Sequence, residues 1–178
     1  MNKLIKLCLF ILVISLLNGC SSKKTRIYKK QKHISLSKYK KSQIKKNTSQ
    51  KHKNLNYKSV ALYKQYKKWK GTKYKFGGTT KRGVDCSSFI QQVYFDAFGL
   101  KVPRTTSKQV NIGYKIDKNK LNAGDMIFFK NWRTGRHVGI MVEKGKFIHA
   151  STSRGVTISN IHNPYYKSNY WQSRRVLP

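Results

Sequence analysis

The chain has 178 residues, of which 39 are Lys or Arg and 5 are Asp or Glu, so its formal net charge is +34. This length accommodates one catalytic domain with an appendage but not two full-sized domains, and the charge excludes an ordinary cytosolic enzyme. Because 38% of the residues are hydrophobic and 12% are aromatic, part of the chain can bury a core, which excludes wholesale disorder.

The N-terminus has the pattern of a bacterial export signal. Lys3 and Lys6 precede an apolar run over residues 7–17, which is too short to span a bilayer but has the length of a signal-peptide core. Residues 17–20 resemble a lipobox, in which the final cysteine, here Cys20, is lipidated. We therefore predict a lipoprotein signal peptide over 1–19. The alternative is an ordinary secretory peptide with an incidental cysteine.

Export changes the meaning of the three cysteines. Cys8 would be removed with the signal and Cys20 would carry lipid, so Cys86 is left as the thiol of the mature protein. An unpaired cysteine in an oxidising compartment is a liability unless it is buried or serves as a nucleophile. By resemblance to sorted lipoproteins, Ser21 after the cysteine favours the periplasmic face of the outer membrane in a Gram-negative cell.

A stretch rich in Lys, Ser, Asn and Gln follows, and we predict a disordered, lipid-anchored basic tether over residues 20–56. Residues 21–60 contain 14 Lys and Arg and no acidic residue, and their few apolar residues show no period. About forty residues reach about 35 Å as a relaxed coil and about 120 Å when extended. The tether is either a solvated spacer or a polycation that binds anionic lipid, wall polymer or nucleic acid.

The folded domain is predicted over residues 57–178. It begins with a helix whose large apolar side chains recur at helical spacing on one face, namely Val60, Leu62, Tyr63, Tyr66 and Trp69. Gly71 stands where a C-cap glycine belongs. Residues 71–78 then form a short extended piece and a glycine turn, because two glycines alone are a weak signal for phosphate binding.

A second helix begins at Cys86, with Asp85 as N-cap and Gly99 as the stop. The helix end favours a thiolate by about 0.3 to 1 kcal/mol, whereas lowering a thiol pKa from about 8.5 to 6.5 needs about 2.7 kcal/mol. A catalytic Cys86 therefore requires a protonated histidine in contact with it. The alternative is a cysteine that packs as a small hydrophobe.

Three strands are predicted downstream, over 124–129, 137–142 and 146–150. A two-residue loop between the last two would place His137 and His149 on opposite faces. A three-residue loop, with Gly145 as the left-handed residue of a bulge, pairs Gly139 with His149 and places both imidazoles on one face. Their Cα atoms would then lie roughly 7 to 8 Å apart. We predict the second arrangement.

Several ordered motifs over residues 71–177 resemble the NlpC family of papain-like cell-wall peptidases, most closely its lipoprotein murein endopeptidases. The matching segments are 74–78, 85–87, 103–106, 124–125, 135–140 and 149–151. The resemblance implies an α+β fold in which the helix carrying the nucleophile packs on an antiparallel sheet. It also implies hydrolysis of peptidoglycan stem or cross-link peptides next to diaminopimelate. Ser88 departs from the family, which commonly has glycine there.

The resemblance implies a role for each matching residue. Cys86 attacks the scissile carbonyl as a thiolate, His137 holds the ion pair and protonates the leaving amine, and His149 orients His137. Tyr74 either donates its hydroxyl to the oxyanion or forms an aromatic wall of the cleft. No metal or other cofactor is expected, because there is no fourth ligand with zinc-type spacing.

Two functions stay open on the sequence. The first is a monomeric cysteine endopeptidase, anchored to the membrane through lipidated Cys20 and acting on peptidoglycan peptides. The second is a non-catalytic polycationic wall-binding lipoprotein with a decayed peptidase domain. Nucleic acid is not an expected partner, because the cations are 31 Lys and 8 Arg and export removes most nucleic acid from reach.

Overall fold

The computed structural model describes residues 22–131 and 135–178, and it describes the backbone alone at 22–36, 39, 51, 52, 54 and 55. The signal peptide predicted over 1–19 and the lipidation site Cys20 lie outside the described residues. The chain divides after Lys51 into an N-terminal unit and a second unit, His52–Pro178.

A helix, α1, occupies Ser22–Trp69. It runs through the segment 20–56 that was predicted to be a disordered tether, so from Ser22 onward that prediction is corrected to helix. No Gly or Pro interrupts residues 22–69, and Lys and Gln are good helix formers. The prediction of disorder rested on repulsion between the lysines and left out the helix propensity of a run without Gly or Pro. Among the described residues, no helix combines the length and the apolar character needed to cross a membrane.

The end of α1 packs into the core of the second unit. Leu62 is fully buried and Trp69 is nearly so, whereas Val60 is 61% exposed. The prediction that Val60 belongs to the packing face is therefore wrong. Gly71 follows the helix with φ +79°, as the predicted C-cap position requires.

Next come a small hairpin and the second helix. Strands β1, Thr79–Thr80, and β2, Gly83–Val84, pair with each other. Helix α2 occupies Cys86–Phe98 and ends at Gly99, which has the left-handed conformation predicted for it. The inner face of α2 is apolar and buried, through Phe89, Ile90, Val93 and Tyr94.

Six antiparallel strands form the main sheet, in the order β3-β8-β4-β5-β6-β7. Their bounds are β3 Tyr114–Lys115, β4 Met126–Asn131, β5 Gly135–Glu143, β6 Lys146–Ser151, β7 Gly155–Asn160 and β8 Tyr170–Arg175. Short helices α3, Thr106–Gln109, and α4, Pro164–Asn169, lie in the connections, and a 3-10 turn occupies Lys118–Lys120. The predicted α+β fold, with the helix that begins at Cys86 packed on an antiparallel sheet, is confirmed.

The sheet separates two apolar clusters. On one side the residues of α2 pack against Val138, Ile140 and Ile148. On the other side Ile127, Phe129, Met141 and Phe147 pack with Ile161 and with Tyr166 of α4. Strand β5 contributes alternate residues to both clusters, as period-two packing requires.

The hairpin between β5 and β6 has the predicted register. Ile140 pairs with Ile148 and Met141 pairs with Phe147, which is the register that follows from placing Gly139 opposite His149. The turn itself closes between Glu143 and Lys146 rather than as a three-residue loop, and the register shifts between Met141 and Glu143. Gly145 lies within this turn and has φ +76°, the left-handed conformation predicted for it.

Candidate active site

The N-terminus of α2 is held by a network centred on Asp85. This carboxylate accepts hydrogen bonds from the Ser88 backbone N–H at 2.7 Å and the Ser87 hydroxyl at 3.0 Å. It also accepts two from the Arg104 guanidinium, at 3.0 and 2.6 Å. Burial acts to raise the pKa of Asp85, but these hydrogen bonds together hold it below its usual value. Cys86 is thereby fixed as the first residue of the helix.

The Cys86 side chain lies in the core and is 6% exposed. Its sulfur lies 3.8 Å from Thr106 Oγ1 and also contacts the backbone N–H of Val138. Burial raises the pKa of the thiol, and the hydrogen bonds from Thr106 and Val138 oppose this only in part. Thr106 lies in the family motif at residues 103–106, but the sequence alone did not indicate its contact with Cys86.

The two histidines meet on one face of the sheet, as the predicted register required. His137 Nε2 lies 2.8 Å from His149 Nδ1, and the two rings are perpendicular, with centroids 4.9 Å apart. His137 is half-buried, yet enough protein surrounds its ring that burial lowers its pKa to about 4. His149 is 1% exposed, and burial, reinforced by the charges of His137 and Arg154, lowers its pKa well below the usual value. Both imidazoles are therefore neutral at pH 7.

The structure corrects the protonation state expected for Cys86. No hydrogen bond joins the Cys86 thiol to the His137 imidazole within the described part of the chain, and the thiol lies instead against Val138, the next residue. With the thiol pKa raised and the His137 pKa lowered, the free protein holds a neutral thiol and a neutral imidazole. Desolvation disfavours both charged forms and outweighs the small helix-end effect.

Tyr74 lies beside the nucleophile. A backbone bridge joins it to Val84, two residues before Cys86. Burial raises the pKa of its hydroxyl, and negative charge on Cys86 and Asp85 raises it further, so the phenol is close to both groups. Tyr74 thus lies where either predicted role, oxyanion donor or cleft wall, can be performed.

A cavity of about 330 Å³ opens beside the two histidines. Its wall is mixed aromatic and polar and includes Tyr74, Arg136, Arg154, Tyr165 and Tyr166. No group of three His, Cys, Asp or Glu side chains in the described ranges is arranged to hold a metal ion. Of the remaining histidines, His162 flanks the turn glycine Gly145, away from the pair.

Behind His149 lies a polar group that the sequence did not indicate. The Nε2 atom of His149 lies 3.0 Å from Ser159 Oγ and 3.2 Å from the Tyr166 hydroxyl. The Arg154 guanidinium donates a hydrogen bond to Ser159 Oγ at 3.1 Å. The pairing of β6 with β7 places Ser159 on the face of His149. The strand at 155–160 was not predicted, so the sequence contained no signal for this contact.

A family model described as the NlpC/P60 family matches residues 71–175, more than half of the chain. The chain belongs to the NlpC/P60 family. This range begins at the C-cap glycine of α1 and ends with β8, so it contains every residue of the site described above. The predicted family is confirmed.

Two Escherichia coli K12 proteins are among its relatives. The chain is 47% identical over 113 residues to murein DD-endopeptidase MepS/murein LD-carboxypeptidase, with 64% of this chain and 60% of the relative covered. It is 47% identical over 119 residues to a probable endopeptidase NlpC, with 66% and 77% covered. The chain thus spans about three fifths of the length of the first of these proteins.

Solved structures of the family share the fold. An NlpC/P60 family protein from Bacillus cereus superimposes with a TM-score of 0.61 at 33% identity, covering 67% of this chain and 40% of the other. The NlpC/P60 domain of the peptidoglycan hydrolase SagA gives a TM-score of 0.56 at 27% identity, covering 65% and 97%. The second superposition covers nearly the whole SagA domain, so that domain matches the folded part of this chain in extent.

Proposed function

We propose that this NlpC/P60 protein is a cysteine endopeptidase that hydrolyses peptidoglycan stem or cross-link peptides next to diaminopimelate. The observation that carries the proposal is the pair of neutral imidazoles, 2.8 Å apart, on the strands beside a buried thiol at a helix N-terminus. The names of two relatives support the substrate class, the E. coli murein DD-endopeptidase and the Bacillus licheniformis peptidoglycan DL-endopeptidase CwlO.

The geometry supports a stepwise proton path. His137 Nε2 faces His149, so Nδ1 is the atom available to take the thiol proton. The Cys86 sulfur then bonds to the scissile carbonyl carbon, and the oxyanion receives the Cys86 backbone N–H and the Tyr74 hydroxyl. The His137 imidazolium returns the proton to the leaving amine as the C–N bond breaks. Water, deprotonated by His137, cleaves the resulting thioester and restores the thiol.

The activity is tested on purified sacculi, with the soluble products identified by mass spectrometry. We expect the wild type to release muropeptides with new termini at diaminopimelate and Cys86→Ala to release none, while circular dichroism shows an unchanged fold. Ser88→Gly, which restores the residue common in the family, is the matched control and should stay active. Wild-type protein that binds sacculi without cleaving them would overturn the proposal and favour the non-catalytic wall-binding lipoprotein.

We also propose that lipidated Cys20 anchors the enzyme to the periplasmic face of the outer membrane of a Gram-negative cell. The support is the sequence around residues 17–20, with its short apolar core and preceding lysines. Labelling cells with an alkyne analogue of palmitate should mark the wild type and Cys8→Ser but not Cys20→Ser. Equal labelling of Cys20→Ser would contradict the anchor.

A further inference from the structure

Both ring nitrogens of the buried His149 are engaged. Nδ1 lies 2.8 Å from His137 Nε2, and Nε2 lies 3.0 Å from Ser159 Oγ and 3.2 Å from the Tyr166 hydroxyl. Ser159 is 7% exposed and Tyr166 is 8% exposed, so these bonds are sheltered from water. A neutral imidazole carries its hydrogen on one ring nitrogen, which donates, while the other nitrogen accepts. The contacts at Nε2 of His149 therefore determine whether its Nδ1 donates to His137 or accepts from it.

The position of that proton decides whether His137 can act as a base. If His149 carries its hydrogen on Nε2, its Nδ1 accepts from His137 Nε2–H, and His137 Nδ1 keeps a free lone pair. If His149 carries its hydrogen on Nδ1, that hydrogen goes to His137 Nε2, and His137 Nδ1 must hold a proton itself. Only the first arrangement leaves an acceptor for the Cys86 thiol proton.

The hydrogen bonds of Ser159 select the first arrangement. Arg154 Nη2 donates to Ser159 Oγ at 3.1 Å, and a guanidinium cannot accept in return. The Ser159 hydroxyl donates to the Tyr166 oxygen at 3.4 Å. When this hydrogen points to Tyr166, the remaining lone pair of Ser159 Oγ faces His149 Nε2, 3.0 Å away. That lone pair needs a donor, which is His149 Nε2–H.

We propose that Ser159, set by Arg154 and Tyr166, is a positioning residue that holds His149 in the Nε2–H tautomer and so keeps His137 Nδ1 free to receive the thiol proton. None of these three side chains has been assigned a role in the reaction above. They act through His149 and not on substrate.

The charges around His149 agree with this role. Among the described residues, the titratable groups that face it are His137 from β5, Arg154 from the turn before β7 and Tyr166 from α4. The Arg154 cation opposes a second positive charge on His149, so the positive charge formed during the reaction stays on His137. The ring of His149 is further enclosed by Phe147 at a centroid distance of 4.9 Å.

The inference rests on the proposed use of Cys86 as a nucleophile, and its test needs no substrate. The rate of Cys86 alkylation by iodoacetamide is followed from pH 4 to 10 by mass spectrometry of the peptide that contains it. We expect Ser159→Ala to lower the rate at pH 7 about tenfold and to shift the profile to higher pH. Tyr166→Phe should act in the same direction, since it frees the Ser159 hydrogen to turn toward His149.

Two controls separate positioning from packing. Ser173→Ala removes another fully buried serine hydroxyl, in β8, and should leave the alkylation profile unchanged. In a His149→Ala background, Ser159→Ala should have no further effect. An equal loss in both backgrounds, or an unshifted pH profile in both Ser159→Ala and Tyr166→Phe, would overturn the inference.

Measuring muropeptide release by the same variants separates the proposed endopeptidase activity from the proposed positioning role of Ser159. We expect kcat/KM for wall peptides to fall with the alkylation rate in Ser159→Ala, through kcat and with KM unchanged. If the wild type cleaves no wall peptide but Ser159→Ala still slows alkylation only when His149 is present, the proposed function fails and the positioning role stands. A fall in kcat/KM through KM alone would contradict the positioning role.

Discussion

At the scale of single residues, burial of the His137 imidazole has a measurable consequence. Burial lowers its pKa to about 4, whereas an unperturbed histidine titrates near 6.5. In the proposed mechanism His137 accepts the thiol proton only when neutral, so activity should be lost as pH falls through about 4. We expect kcat/KM for a soluble stem peptide to persist below pH 6. An acid limb near pH 6.5 would contradict the buried base.

That measurement needs a folding control, because the folded protein lowers the pKa of both histidines. Their folded-state pKa values lie below the unfolded value of about 6.5, so the unfolded chain binds more protons below that pH. Stability should therefore decline as pH falls below about 6.5. Circular dichroism at each pH separates loss of the base from loss of the fold.

The residues of the candidate site could be predicted from the sequence only where a local pattern located them. Cys86 follows an N-cap residue, and the hairpin with Gly145 in its turn has the register that brings His137 to His149. Ser159 and Tyr166 lie on elements that no pattern indicated, and their contact depends on long-range packing. The neutral state of the thiol was also missed, because its burial is not visible in the sequence.

At the scale of elements, the first turn of α2 depends on one carboxylate. Asp85 caps the helix through the Ser88 N–H and pairs with Arg104. Asp85→Ala should lower the free energy of unfolding by about 1 to 2 kcal/mol, from loss of the cap. Urea denaturation measures this, and Asp96→Ala, on the exposed face of the same helix, is the matched control. Equal stability of the two variants would show that the cap does not secure Cys86.

The elements themselves were predicted unevenly. Helix α2 and the β5–β6 hairpin have strong local signals, caps for the helix and a turn glycine for the hairpin, and both were predicted correctly. Residues 20–56 offered no cap or periodic pattern, only their amino-acid composition. Their high lysine content indicated a disordered tether, whereas the structure has helix from Ser22 onward. Val60 was misplaced because helical spacing alone cannot tell which side of the stripe meets the core.

At the scale of the whole molecule, the net charge of +34 is not neutralised internally. Within the part of the chain that the structure describes, three of the five acidic residues are in ion pairs, Asp85 with Arg104, Asp125 with Arg175 and Glu143 with Lys146. Residues 61–178 contain 23 Lys and Arg with all five acids, so this part alone carries a formal charge of +18. The Lys and Arg residues therefore far outnumber the acids of this part, and the surplus positive charge can interact with an external anion.

This surplus charge should act on encounter and not on chemistry. Cys86 is 6% exposed and the His137 imidazole is neutral in the free protein, whereas salt screens solvent-exposed charges beyond about 10 Å at 0.1 M. Raising NaCl from 0.05 to about 0.5 M should release the protein from sacculi in a pelleting assay well before it reduces cleavage of a small soluble stem peptide. The Cys86→Ala variant should show the same salt-dependent release, since binding needs no chemistry. Parallel loss of binding and of soluble-peptide cleavage would mean instead that exposed cations act on the substrate within the site.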